Sequence, residues 1–318
     1  MFEFLWARRR ALTVAAASAA AIFLASCSGG DADTPPQFGT IVAFGSSVTD
    51  TGNSCNLVPK EYCTPSPPYA AGKYSNGALW IETVASSLGA SAAGSRFGGT
   101  NFAYAGARTT AIPGAATQLV PNMAVQLEQY FAAYGYQSRP QTLFAVDGIT
   151  FGNDVTDALT LAATDPTAPT RILTNAVTSI VTIMQRLYAS GARHIVLANS
   201  TNLGLTPQVQ AMGAAAVAAA TQLSATFNGA LAQQVAALKA TSPGLNIYTI
   251  DVFTLAGQAA ANPASLGLTN GTAACFNTLA AAPTVCANPD GYFYWDVYHP
   301  TAATNRQIAQ MVLKAIGR

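Results

Sequence analysis

Thr40-Ile41-Val42-Ala43-Phe44-Gly45-Ser46-Ser47-Val48-Thr49-Asp50-Thr51-Gly52-Asn53 decides how the rest of the chain is read. Thr40 to Phe44 form a short β-like run, and a stretch rich in Gly, Ser, Thr and Asp follows at once, which reads as a strand entering a turn. A serine there stands just beyond the carboxyl end of a strand, where open α/β sheets place their ligand sites.

Similar runs lie at Thr142 to Val146, His194 to Ala198 and Leu245 to Ile250, with a weaker fifth near Asn101 to Ala103. Helical patterns separate them. Leu223, Phe227, Leu231, Val235 and Leu238 recur at the spacing that puts them on one helical face, and the alanine-rich run Gly213 to Ala220 suits a closely packed helix. Strands alternating with helices predict an α/β fold: a doubly wound, mainly parallel, five-stranded sheet covered on both faces. At 318 residues the chain exceeds the usual domain size, but no repeat or second boundary is visible, and such folds often reach about 250 residues or more.

Residues 1–26 read as an export signal, because Arg8, Arg9 and Arg10 precede the apolar run Ala11 to Ala25, which is too short to span a bilayer. Its end, Leu24-Ala25-Ser26-Cys27, resembles the lipobox of bacterial lipoproteins, so a lipid anchor at Cys27 and residence at the outer membrane or cell surface are expected. Residues 27–37 read as a flexible tether, with the folded domain spanning 38–318. Without residues 1–26 the chain keeps 12 basic and 13 acidic residues and a formal charge of −1, which argues against a nucleic-acid partner. Four cysteines remain beside Cys27, an even number in an exported protein, which favours disulfides over metal ligation. Close spacing pairs Cys55 with Cys63 and Cys275 with Cys286, although three connectivities are open to the sequence alone.

A serine is a weak nucleophile until a base accepts its proton, and the chain has only two histidines. His194 opens a strand candidate and so belongs at the amino end of the sheet, away from the site, in a structural role. His299 lies in Trp295-Asp296-Val297-Tyr298-His299-Pro300-Thr301, before a final helical pattern that begins near Pro300. An Asp three residues ahead can fold back onto the histidine Nδ1 and fix its tautomer. Ser47, His299 and Asp296 are thus the candidate nucleophile, base and orienting acid.

These segments together resemble the GDSL or SGNH hydrolases. Phe44 to Asn53 is similar to the family's first block, with Ser47 at its serine. Gly72-Lys73-Tyr74-Ser75-Asn76-Gly77, with Trp80 and Glu82, looks like a further conserved segment. Gly99 to Ala107 resembles the second block and puts Gly106 at an oxyanion-hole glycine; Gly152-Asn153-Asp154 resembles the third and puts Asn153 at the oxyanion-hole asparagine. Asp296 to Thr301 matches the last. The resemblance implies a flavodoxin-like three-layer sandwich and a serine ester hydrolase, a carboxylesterase or lipase, working without cofactor or metal as a monomer on an ester or lipid substrate. A phospholipase or acyltransferase, and a non-catalytic surface lipoprotein, are the alternatives. Two positions depart from the pattern. Ser46 replaces an acidic residue, and makes a competing nucleophile register conceivable; Phe151 replaces a glycine, which would shift the backbone or line the acyl pocket. Asp50 is expected to bond backbone amides in its turn, and Asn153 to compete with Asp154 as cap of a helix starting near Val155.

Overall fold

The computed structural model describes residues 36–57, 60–113 and 120–318; the export signal, Cys27 and nearly all of the tether lie outside the described residues. Along the chain run β1 (Thr40–Phe44), α1 (Trp80–Ser87), α2 (Met123–Tyr134), β2 (Thr142–Asp147), α3 (Phe151–Leu161), α4 (Ala168–Ala189), β3 (His194–Ala198), α5 (Pro207–Ala211), α6 (Ala214–Thr241), β4 (Asn246–Ile250), α7 (Val252–Ala261), β5 (Asn270–Ala274), β6 (Tyr292–Tyr294) and α8 (Ala302–Ala315).

Alternating side chains on each strand explain the layers. Val42, Phe44, Phe144, Val146, Ile195, Leu197 and Ile247 face one way and pack against α2, α3, α4 and α6. Ile41, Ala43, Leu143, Ala145, Val196, Ala198 and Ile250 face the other and pack against α1, α7 and α8. Burying a side chain the size of Phe44 contributes about 1.5–3 kcal/mol, so β1 is pinned from both faces before its loop begins. The four main strands pair in parallel in the order β1-β2-β3-β4, with Phe44 opposite Val146 and Asp147 opposite Ala198. Their carboxyl ends therefore finish at one rim, and Ser47 stands there.

The expected fifth strand is reduced to a bridge. Asn101 pairs with Ala43, and three backbone hydrogen bonds join residues 100–104 to β1 and Gly45. The reason is local: Asn101 also pairs with Gly94 on its other side, and its side chain accepts the Ala103 N–H, which diverts the backbone from a regular ladder. With this segment outside β1, the order is that of a flavodoxin-like sheet. A second sheet was not expected: β5 and β6 pair in parallel apart from the main one.

Helix starts also differ. Pro300 precedes α8 rather than opening it, because the Thr301 side chain takes the cap by accepting the Thr304 N–H. Helix α3 begins at Phe151, so Asn153 and Asp154 lie in its first turn and neither caps it. The disulfides join Cys55 to Cys63 and Cys275 to Cys286.

Candidate active site

Polar residues that look interchangeable in the sequence stitch the loop after β1 to its surroundings. Gln126 of α2, fully buried, takes both backbone groups of Gly45: its Oε1 accepts the N–H at 2.8 Å and its Nε2 donates to the C=O at 2.9 Å. Position 45 must be glycine, since a Cβ there would lie 2.7 Å from that of Asp147. The Asp50 carboxylate accepts the N–H groups of Gly52, Asn53, Ser54 and Ala105, as expected of it. Asn53 donates to the carbonyls of Asn101 and Ala103, and Asn101 donates to that of Thr49. First and second blocks are thereby one hydrogen-bonded body.

Asp147, at the end of β2, is fully buried beneath this loop and accepts the Thr49 hydroxyl at 2.8 Å and the Ile149 N–H at 2.9 Å. Burial pushes its carboxyl up to about 6 against those hydrogen bonds and one from the Ser46 amide. A carboxylate thus faces the loop although position 46 lacks one. Ser46 is itself buried, and its carbonyl accepts the N–H groups of Thr49 and Asp50.

His299 is presented by the turn after β6. The Asp296 Oδ1 accepts the N–H groups of Tyr298 and His299, and the Trp295 N–H closes the turn on the His299 carbonyl. The segment 72–77 grips the same turn: Ser75 donates to the Pro300 carbonyl, Asn76 accepts the Ala302 N–H, and the Tyr74 ring lies 4.7 Å from the imidazole. His299 Nε2 then sits 2.8 Å from Ser47 Oγ, and its Nδ1 sits 2.7 Å from Asp296 Oδ2. Burial alone would raise the Asp296 carboxyl; the His299 charge and the hydrogen bonds from His299 and Tyr298 outweigh it and hold the group below its ordinary range. Neutral imidazole with its proton on Nδ1 can accept from the serine hydroxyl, the arrangement a serine nucleophile requires.

Gly106 and Asn153 share a cavity of about 300 Å³ with Ser47 and His299, walled also by Val48, Tyr62, Tyr74, Ile149, Leu203 and Tyr298. Gly106 has φ +78°, and a Cβ there would lie 2.7 Å from the Tyr62 ring, so only glycine fits. Helix α3 is laced to the 106–109 segment by three side chains. Asn153 Nδ2 donates to the Ala107 carbonyl at 2.8 Å, Asp154 accepts the Thr109 N–H and hydroxyl, and Asp157 pairs with Arg108, which also donates to the Gly106 carbonyl. Phe151 does not line the cavity: it is buried and stacked on Phe227 at 4.0 Å, in ordinary helical geometry. His194 lies at the opposite rim, bonded to the Tyr248 hydroxyl at 3.0 Å.

A larger groove of about 570 Å³, between α7 and α8, contains no histidine, so volume does not pick the site. Among the described residues no cluster of His, Cys, Asp or Glu is arranged to hold a metal ion. Motif reading missed Gln126, Asp147, Tyr69 and the Arg108–Asp157 pair, whose partners are far away in sequence.

The family model for GDSL-like lipases/acylhydrolases matches residues 41–312. A GDSL esterase/lipase of Arabidopsis thaliana is 26% identical over 313 residues, 87% of this chain and 90% of the plant protein. GDSL esterase/lipase 7 of the same plant is 30% identical over 139 residues, 40% of this chain and 38% of its own length. A phosphatidylcholine-sterol acyltransferase of Aeromonas hydrophila is 43% identical over 53 residues, 17% of this chain and 16% of that protein. The crystal structure of a lipase from a goat rumen metagenome superposes with a TM-score of 0.46 at 12% identity, covering 87% of this chain and 97% of that one.

Proposed function

The chain belongs to the GDSL-like lipase/acylhydrolase family and is an ester hydrolase, and from that premise we propose that it cleaves carboxylic esters through an acyl-enzyme on Ser47. The observation that carries this is the unbroken Asp296–His299–Ser47 chain opening into a cavity. His299 takes the Ser47 proton as Oγ attacks the ester carbonyl. The Ser47 and Gly106 N–H groups and the Asn153 amide meet the charge on the tetrahedral oxygen. Collapse expels the alcohol, which leaves with the proton held by His299; a water deprotonated by the same imidazole then releases the acid and frees Ser47.

A cavity of about 300 Å³ is at the small end for ligand sites. A second, small cavity of about 50 Å³ shares Gly152, Thr156, Leu203 and Tyr298 with its lining and adds Val155, Leu159, Thr160, Val209 and Met212. These walls suit a short or medium aliphatic acyl chain, a carboxylesterase substrate. The match to a phosphatidylcholine-sterol acyltransferase supports a second reading, acyl release or transfer from phospholipid. Assays with p-nitrophenyl esters of increasing acyl length, phosphatidylcholine, acetylated sugars and an aliphatic polyester separate them. Highest kcat/KM on soluble short and medium esters supports the first; preference for phosphatidylcholine replaces it with the second. No turnover, with no serine labelled by a fluorophosphonate, leaves a non-catalytic surface lipoprotein.

We place the enzyme outside the cytoplasm, tethered by a lipid on Cys27. Support comes from the Leu24-Ala25-Ser26-Cys27 run and from two disulfides, which persist in oxidising compartments. Mass spectrometry of the membrane fraction should find a diacylglyceryl-modified amino-terminal Cys27, and Cys27→Ala should release an active enzyme. A mature terminus elsewhere, without lipid, rules the tether out.

A further inference from the structure

Asp296 has four hydrogen-bond partners, and one comes from far away. Its Oδ1 accepts the two N–H groups of the turn, both oxygens lie within 2.8 Å of His299 Nδ1, and Oδ2 also accepts, at 2.8 Å, the hydroxyl of Tyr69, 227 residues distant. A carboxylate has about four lone-pair sites, so this hydroxyl completes the set. Tyr69 is held for the purpose on three sides: its ring meets Trp295 edge-on at 6.0 Å, Phe276 at 5.8 Å and Tyr74 at 6.2 Å. The Cys275–Cys286 disulfide belongs to the same buried cluster. Burial, and after it the Asp296 charge, push the Tyr69 phenol far above its ordinary range, so it remains a donor. Tyr74 and Tyr298, whose rings lie 4.7 and 6.3 Å from that of His299, are also raised by burial and stay neutral, while Tyr62 and Arg108 line the same cavity.

We infer that Tyr69 is a positioning residue for the catalytic couple: its hydroxyl fixes the plane of the Asp296 carboxylate against His299 and takes up part of the carboxylate charge. The inference rests on Ser47, His299 and Asp296 acting as proposed. Tyr69 touches no reacting atom and works only through Asp296. Without that hydroxyl the carboxylate, still held at Oδ1 by the turn, loses its anchor at Oδ2 and aligns His299 less often, and, relieved of a donor, it holds the imidazolium more tightly, so the base is blocked up to a higher pH.

The test compares wild type with Tyr69→Phe, which keeps the ring and its packing and deletes only the hydroxyl. On a short p-nitrophenyl ester, kcat/KM should fall about tenfold, with the loss in kcat, as for a lost hydrogen bond to a charged group. The acid limb of its pH profile should move to higher pH, fluorophosphonate labelling of Ser47 should slow in parallel, and Tm should move by only a few degrees. Wild-type kcat/KM and an unmoved acid limb in Tyr69→Phe, beside a labelled and active wild type, overturn this inference alone. A wild type that is not labelled at Ser47 overturns the catalytic reading, and this inference with it.

Discussion

His299 Nε2 and Ser47 Oγ are separated by 252 positions in the chain and by 2.8 Å in the fold. Two parts of the architecture create that approach: β1 delivers the serine to the carboxyl rim of the main sheet, and β6 delivers the turn that carries His299 to the same rim. The contact is therefore a property of the assembled sheets, while each partner's orientation is local.

Ser47→Ala removes the only hydroxyl bonded to His299 among the described residues, so fluorophosphonate labelling should vanish and kcat should fall by several orders of magnitude. His194→Ala, at the other rim, should leave kcat nearly intact. Labelling that persists on Ser46 in Ser47→Ala would move the nucleophile by one residue and refute the register.

Asn153 separates a stabilising role from a catalytic one. It sits inside the first turn of α3, so the cap contribution of about 1 kcal/mol that a helix-start asparagine makes does not apply. What the side chain does in the resting protein is donate to the Ala107 carbonyl, beside Gly106. Asn153→Ala should cut kcat about a hundredfold to a thousandfold with KM little changed, as expected when an oxyanion donor is lost. A variant that melts much earlier yet turns over normally once folded would make Asn153 structural.

The disulfides should differ in what they support. Their sequence separations of 8 and 11 give similar stabilisation, about 2.5 to 3 kcal/mol each in the chain-entropy model. Cys275–Cys286 also belongs to the cluster that holds Tyr69 against Asp296. Replacing both of these cysteines by serine should lower Tm and kcat together, whereas kcat still at the wild-type value, measured well below Tm, would show that the cluster holds without the bridge.

The parts legible in the sequence are those whose signal is local. Thr40 to Phe44 alternates toward two cores, and Asp296 folds back on His299 within one turn, so strand, turn and candidate chemistry share a few neighbouring residues. Tyr69 gave no such signal, because Pro67-Pro68-Tyr69 has neither periodicity nor motif and its partner lies 227 residues on. Gln126 was hidden differently: on an amphipathic helix it occupies a core-facing position that polarity alone would assign to solvent, and only the Gly45 backbone explains its burial. Strand β5, Asn270-Gly271-Thr272-Ala273-Ala274, lacks apolar alternation and is defined by pairing with β6, which no local pattern encodes.

Asp154 couples the stability of the fold to pH. The residue is wholly buried in α3, where it accepts the Thr109 N–H at 3.1 Å and the Thr109 hydroxyl at 3.1 Å. Burial pushes its carboxyl up to about 8 from an ordinary 3.8; the Thr109 hydrogen bonds and the Arg108 charge oppose that without cancelling it. A raised acid means that, between those two values, the folded chain keeps a proton the unfolded chain has released. Stability from this group is then fully present below about pH 4, declines as pH rises through the window, and levels off above about pH 8, where both states are ionised. Asp154→Asn keeps an acceptor for Thr109 but cannot ionise. Its Tm should therefore fall less than that of wild type between about pH 5 and pH 8, with the two curves converging or crossing toward the alkaline end. Parallel Tm curves across that range would mean that the Asp154 proton does not govern the slope. Because Asn153 precedes Asp154 in the same helical turn, activity in this series should be read well below Tm, where unfolding cannot mimic the loss of an oxyanion donor.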